Sequence, residues 1–398
     1  MPGLKSVAVV YQGQYPVAGG LSAGTRRVRD IANGLAHNGV RVEMWTPAHF
    51  ESVSGDDSDL FQHIRLGSSS SKPNSFGRQR FWSNVCREAK QKRPDFVIFY
   101  NTTIDSAQAF RNLNSQRILT AFELCDRHST DAPNLPRKLV HLAAEWLLPK
   151  LSNLNIVISR CLNNWVQNVA PKVQSVIVPG LVDVATFQSQ REWGQEFRKK
   201  FAISQDDFLV TYGGGWWRHK GLADLIEGFA LFRKQTSGNV KLLISGNPRI
   251  TDDMDDPRNI ASEAGLDSSA IFPGDLGERD IVSMLIAADV VVSPSTDHPF
   301  SHNAFPTKVA EYAAMGKAIV ATEVGDVPLY LTHQESAMLC KPNSPSSIAE
   351  KLHQLYSDRA LLNRLESSAA KVACENFESA AAMKKLLQQL SLVHSQAT

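Results

Sequence analysis

What the sequence lacks narrows it first. Its five cysteines (Cys86, Cys125, Cys161, Cys340 and Cys374) are odd in number, scattered, and never form a C-x-x-C pair. Neither a disulfide framework nor a cysteine-built zinc site is expected, and a reducing cytoplasm is the expected compartment. An excess of one charge is missing too. The 42 basic and 40 acidic residues leave a formal net charge of +2, far from the basic excess of a dedicated nucleic-acid binder. No apolar run approaches the roughly 18 residues of a membrane span; stretches such as Phe96–Tyr100 and 290–292 are strand-sized. The opening Met1-Pro2-Gly3-Leu4-Lys5 has no apolar signal-peptide core, which again favours the cytoplasm. With 43% hydrophobic residues the chain has enough apolar material for packed cores, so disorder is excluded.

Signatures of several chemistries are absent or misplaced. Gly213-Gly214-Gly215 lacks the third spaced glycine of G-x-G-x-x-G, so a nicotinamide dinucleotide is unsupported. Gly316-Lys317-Ala318 has neither the upstream glycine nor the Ser/Thr of a Walker loop. Gly20-Leu21-Ser22-Ala23-Gly24 fits the hydrolase pattern G-x-S-x-G, but a nucleophile elbow directly follows a strand, and here a loop intervenes after Tyr11. His298 and His302 beside Asp297 have a metal-like spacing. Pro299 between them argues against a helix that would align the rings, no third ligand is evident, and no metal is expected. The sequon Asn101-Thr102-Thr103 has no consequence without secretion.

What is present is a repeated alternation of strands and helices. The run 7–11 is apolar on both faces, as in a buried parallel strand; 25–38 has helical spacing of Val28, Ile31, Ala32 and Leu35; 40–45 is the next strand. A βαβ unit of this length implies a parallel sheet with right-handed crossover. Segments 51–59 and 66–74 are acidic or serine-rich and read as loops. The alternation resumes with a helix near 79–93, strands at Phe96–Tyr100 and 117–121, a helix at 137–151 and a strand at 155–158. A second series begins with a strand at 208–212 and a helix at 222–235, followed by a strand at 240–244 and a helix at 256–264. It continues through a strand at 270–272, a helix at 278–288 and the strand Val290–Ser293 to a helix at 307–315 and a strand at 318–321. Helical patterns at 346–356 and 358–392 close the chain. The expectation is an α/β protein of two Rossmann-like domains joined around 179–191.

The chemistry concentrates in the second half. Gly213-Gly214-Gly215-Trp216-Trp217-Arg218-His219-Lys220-Gly221 lies between a strand and a helix. Glycines let backbone N–H groups approach an anion, a helix N-terminus favours negative charge, and Arg218 and Lys220 add full positive charges. The combination suits a diphosphate; the plainer alternative is a glycine-rich turn with solvated basic residues. Downstream, the helix near Thr307 offers further N–H groups, and Glu311, one turn in, is placed to accept hydrogen bonds from a ribose diol.

The run from Phe305 to Thr322, with Lys220-Gly221, the early Gly19-Gly20 and Val178-Pro179-Gly180-Leu181-Val182-Asp183 with Phe187, resembles the retaining family-four glycosyltransferases of the GT-B fold. The likeness extends over most of the chain. It implies two Rossmann-like domains facing each other across a cleft: an acceptor domain at 1–182 and a nucleotide-sugar domain at 183–375. A C-terminal helix at 376–398 would return to the first domain. It also implies a metal-independent transfer of a hexose, with retention, from a nucleotide-diphosphate sugar to a glycan, lipid-linked or small-molecule hydroxyl. No cofactor beyond that donor is implied. By the same resemblance, Lys220 contacts the diphosphate, Glu311 holds the ribose, the loop from Asn303 through Ala304, Phe305 and Pro306 to Thr307 presents backbone N–H groups to the donor, Gly19 and Gly20 close over the phosphates, and Phe272 lines the base.

This chain departs from the family at three points. Asn303 stands where the first glutamate of an E-x₇-E pair is usual, and Gly215 where an arginine is, with Arg218 available as its substitute. Phe122-Glu123 fills the slot of a first-domain histidine, leaving Glu123 and the nearby His128 as the catalytic candidates on that side. A nucleotide-sugar epimerase of the same shape and an inactive nucleotide-sugar binder are the rival readings. Arg78, Arg80, Arg87, Lys90, Lys92 and Arg93, interleaved with Phe76, Phe81 and Trp82, fit either a surface docking on the anionic inner face of the membrane or a solvated helix face.

Overall fold

The computed structural model describes residues 4–12, 23–47, 60–66, 75–130, 132–184, 191–246 and 255–397. Gly19, Gly20, Phe187, the segment 51–59 and the serine run at 68–71 lie outside the described residues. Two compact units emerge: the described residues up to Leu181 together with those from Ser379 onward, and Val182–Glu378.

The first unit is built on a seven-stranded parallel sheet. Its strands are β1 (Ser6–Tyr11), β2 (Arg41–Pro47), β3 (Gln62–Leu66), β4 (Phe96–Tyr100), β5 (Leu119–Leu124), β6 (Leu154–Val157) and β7 (Gln174–Ile177), in the order β3-β2-β1-β4-β5-β6-β7. Every residue of β1, β4 and β5 is buried, as strands covered on both faces by helices must be. The edge strands β3 and β7 are mostly half-buried or exposed, which explains why their polar sequences carry no strand pattern. The final helix, Ser379–Ala397, packs in this same unit against the helix Ala23–His37. Asn38 donates to the Ala380 carbonyl at 2.8 Å, and Met383, Leu386 and Leu390 are buried.

The second unit has six parallel strands: β8 (Phe208–Gly213), β9 (Val240–Ser245), β10 (Ala270–Gly274), β11 (Val290–Ser293), β12 (Ala318–Thr322) and β13 (Met338–Cys340), ordered β10-β9-β8-β11-β12-β13. In both sheets the strand order reverses after the innermost pair, β1/β4 in the first and β8/β11 in the second. In open α/β sheets ligands bind at such a switch point, beyond the carboxyl ends of the strands.

Three expectations need correction. The helical pattern at 358–392 is two helices, Arg359–Asn376 and Ser379–Ala397. The break falls at Phe377-Glu378, where Val182 N–H donates to the Phe377 carbonyl (2.9 Å) and Val184 N–H to the Glu378 carboxylate (3.1 Å). Pro299 does not prevent a helix: Pro299–Asn303 is helical, with His298 as its N-cap. Proline is accepted there because the first turn has no internal acceptor for its missing N–H. The basic-aromatic stretch is a helix, Ser75–Lys92, but Phe81 and Trp82 are each only 4% exposed. Their rings pack towards the sheet, with Trp82 5.8 Å from Phe99, so neither is free to insert into a surface; the Phe76 side chain lies outside the described residues.

Candidate functional site

The loops that follow β8 and β11 converge in the second unit, and backbone geometry brings them together. Gly213-Gly214-Gly215 leaves β8, and a turn of 3₁₀ helix at Arg218–Lys220 precedes Gly221 and the helix Leu222–Lys234. Gly221 has φ +68°, and a Cβ there would lie 1.9 Å from the Pro294 carbonyl oxygen of the loop after β11. Both facts require glycine. The junction is stitched by Thr296 N–H donating to the His219 carbonyl at 3.0 Å and by Ser301 Oγ donating to the same oxygen at 3.3 Å. Lys220, next in sequence, is thereby tied to the β11 loop.

On the other side of the loop, the ladder runs past the strand ends. Gly214 N–H donates to the Ser245 carbonyl (3.1 Å) and Gly246 N–H to the Gly274 carbonyl (2.8 Å). Trp216 is buried here and meets Phe272 edge-on at 5.9 Å, so the half-buried Phe272 borders the same glycine edge. Gly214, at φ +144°, is covered by a group the motif reading does not single out, the Lys308 ammonium. A Cβ on Gly214 would overlap Lys308 Nζ, which lies 3.5 Å from Tyr212 Oη and 4.6 Å from its ring centre. Lys308 is the second residue of the helix Thr307–Ala314, so its signal in sequence is a cation at a helix start beside a glycine loop distant in the chain.

His219 lies close enough to Lys220 and Lys308 to feel both charges. It is 7% exposed, with Phe300 at 4.6 Å and His298 at 6.2 Å between ring centres. Burial, then Lys220, His298 and Lys308, push its pKa down to about 3. Its ring is neutral at physiological pH, so it does not add to the positive charge of the site.

The remaining predicted residues take distinct places. Arg218 and Gly215 are exposed; Ala304, Pro306, Thr307 and Glu311 are half-buried on and before the helix Thr307–Ala314. Asn303 ends the preceding helix, 6% exposed, its amide donating to the Pro299 carbonyl at 2.8 Å. The Phe305 side chain is 3% exposed and packs against Tyr330 and Phe377 at 5.3 and 5.4 Å, so only its backbone remains to meet a ligand. His302 pairs with Asp297, and among the described residues no group of three His, Cys, Asp or Glu could hold a metal.

In the first unit, Glu123 is fully buried and accepts from Arg27 Nε at 2.7 Å. Arg27, 3% exposed, donates its other nitrogens to the carbonyls of Pro179 (2.6 Å) and Val178 (2.8 Å). Burial pushes the Glu123 carboxyl up while the Arg27 guanidinium opposes it. This corrects the expectation of a catalytic Glu123. With no exposed surface it cannot touch a substrate, and it acts by holding Arg27, which ties the 178–180 segment to the sheet. His128 is different: it is exposed just beyond β5, with Nε2 3.0 Å from Asn101 Nδ2 and its ring 5.5 Å from His141.

Cavity size alone points elsewhere. A cavity of about 650 Å³ lies at the opposite end of the second sheet, lined among others by Arg198, Asp289, Lys317 and Arg359. Its charges are satisfied internally: Arg198 donates to the carbonyls of Ala287, Ser204 and Asp207 and to Asp289, and Lys317 to those of Ile286 and Ala288. The glycine edge at the switch point, with cations laid over exposed backbone, is the better ligand site.

Comparison with known proteins bears on this same half. Residues 194–372 match the family described as glycosyl transferases group 1. The chain is 28% identical over 227 residues to the D-inositol 3-phosphate glycosyltransferase of Corynebacterium efficiens, an alignment covering 56% of this chain and 51% of that protein. It thus spans about half the length of the curated relatives it matches. Among solved structures, sucrose-phosphate synthase from Thermosynechococcus elongatus superposes with a TM-score of 0.79 at 18% identity, covering 98% of this chain and all of that one. HepE from Anabaena, in complex with UDP and glucose, superposes at 0.75 and 17% identity, covering 98% and 99%. At these identities the likeness is one of fold: two parallel α/β sheets, with a last helix returning to the first unit.

Proposed function

We propose that the chain is a member of the glycosyl transferases group 1 through its second unit, which contains the match at residues 194–372, and that it moves a hexose from a nucleotide-diphosphate sugar to an acceptor hydroxyl, with retention at the anomeric carbon. The observation that supports this most is the glycine edge after β8 and β11. There Lys220 and Lys308 both act on a neutral His219, and Glu311 stands one turn inside the helix that carries Lys308.

The difficult step is departure of the diphosphate, on which negative charge grows as the glycosidic bond breaks. Preorganised cations and N–H donors lower that barrier because they need no rearrangement when the charge develops. In this reading Lys220 and Lys308 stabilise the leaving diphosphate, and Arg218 adds charge from the exposed rim. The backbone N–H groups of Phe305 and of the start of the helix Thr307–Ala314 supply further donors. Glu311 accepts from the ribose hydroxyls, and Phe272 borders the base. In this reading Gly19, Gly20 and His128 also take part in the transfer. The Asn303 amide supports its own helix, so donor-sugar contacts at that position fall to the backbone.

A thermal-shift panel of UDP, GDP, ADP and CMP with their sugar conjugates, on wild type and Glu311→Ala, tests the donor site. One nucleotide family is expected to raise the Tm of wild type and to lose most of that shift in the variant. No response of the wild type to any nucleotide overturns the reading.

A further inference from the structure

Four of the eight large hydrophobic side chains that stand exposed among the described residues belong to one helix, Leu135–Leu151: Leu135 (67%), Leu139 (57%), Val140 (47%) and Trp146 (58%). The helix is firmly started. Asn134 caps it by accepting from Arg137 N–H at 3.1 Å, and Pro136 occupies its first turn. Its second half is anchored through Ala144, Glu145, Leu148 and Pro149. The exposed apolar face is therefore held in place by the fold. At 100° per residue, Leu135, Leu139 and Trp146 fall within a sector of about 40°.

The charges around that stripe have one sign. At the same 100° per residue the exposed Lys138 lies about 60° to one side of Leu135, and Lys150, about 20° beyond Leu139 on the other side, lies over the Trp146 ring. The helix's single acidic residue, Glu145, is 4% exposed and turned inward, accepting from Ser129 N–H, Ser129 Oγ and Arg127 Nε. A tryptophan and leucines edged by long basic side chains, with no acid facing out, is the composition of a helix lying in a lipid interface.

We propose that the helix Leu135–Leu151 docks this protein on an anionic bilayer surface, inserting Leu135, Leu139 and Trp146 while Lys138 and Lys150 meet lipid phosphates. A second copy of the chain fits less well. A two-fold contact would set the same cations against each other, and a handful of side chains is small beside the roughly 800 Å² per partner of a stable interface. The helix Ser75–Lys92 is the weaker candidate, since Phe81 and Trp82 are buried in it.

Flotation of the full chain with vesicles of phosphatidylglycerol in phosphatidylcholine, against phosphatidylcholine alone, tests this without reference to turnover. Wild type is expected to float with the anionic vesicles at low salt and to be released by high salt. The charge-only variant Lys138→Gln/Lys150→Gln is expected to lower partitioning by about tenfold or more, and Leu139→Ser/Trp146→Ser to abolish it. Unchanged thermal unfolding of both variants shows that the fold survives. Arg80→Gln/Lys90→Gln, on the helix Ser75–Lys92, serves as the control and is expected to retain binding. Absence of wild-type binding, equal binding to neutral vesicles, or a concentration-dependent dimer dissolved by Leu139→Ser overturns the proposal.

Discussion

At the carboxyl ends of the first sheet, β5 and the helix Ala23–His37 deliver side chains that pair with one another: Glu123 accepts from Arg27, and Arg27 also donates to the Val178 and Pro179 carbonyls. At the carboxyl ends of the second, β8, β9 and β10 deliver glycine backbone, and cations from elsewhere in the unit are laid over it. The same architecture thus carries opposite devices. A fully buried ion pair that is also bonded to backbone holds the fold together and offers no surface to a ligand. A glycine that lets the Lys308 ammonium lie directly on the backbone sets a positive charge at the edge of the sheet, where an anion can meet it.

The contrast is sharpest in a crossed pair of substitutions. Glu123→Ala leaves the Arg27 guanidinium buried without its carboxylate and is expected to cost about 3–5 kcal/mol of stability, measured by urea unfolding. Lys220→Ala is expected to lower transfer by about 10²–10³-fold while stability stays within about 0.5 kcal/mol. A stable Glu123→Ala protein, or a Lys220→Ala protein with full activity, would break the comparison. Gly221→Ala comes next: the positive φ alone is worth about 1–2 kcal/mol, and the Pro294 carbonyl in the way adds to it. Loss of nucleotide binding in step with stability is expected, because the substitution pushes apart the loops that hold Lys220. Binding retained at wild-type strength would show that the β8–β11 junction does not position the site.

Acid sensitivity is the smallest and most local effect. His219 is held neutral down to about pH 3 in the native state, whereas an unfolded histidine takes up its proton near pH 6.5. Its contribution is therefore fully present above about pH 6.5 and is lost as pH falls towards about 3, with a limiting slope of about 1.4 kcal/mol per pH unit. Urea unfolding at about pH 7 and about pH 5 should show a steeper loss in wild type than in His219→Gln. Equal slopes would place the acid-labile group elsewhere.

Several elements were legible because their physics is local. β4 and β11 are apolar on both faces, and their bounds read directly from the sequence. Lys220, Glu311 and the triple glycine stood out because a loop between strand and helix has few other reasons to hold those residues together. β3, β7 and the helix Arg160–Val169 were not legible: edge strands and short helices take their stability from neighbours rather than from their own pattern. The helix Pro299–Asn303 was obscured by treating Pro299 as a breaker when it stands in a first turn. Phe81 and Trp82 show the same limit, since nothing in their order distinguishes a face turned to the sheet from one turned to water.

By itself the sequence determined the two-fold repetition of α/β elements, the glycine edge and the cation and acid that follow it, because periodicity and turn chemistry act over a few residues. Tertiary structure alone decided that Glu123 is an anchor for Arg27, that Lys308 covers Gly214, and that the helix Leu135–Leu151 keeps Leu135, Leu139 and Trp146 in the open. Each depends on groups distant in the chain meeting, or failing to meet. Burial and charge pairing are properties of that meeting rather than of any residue alone.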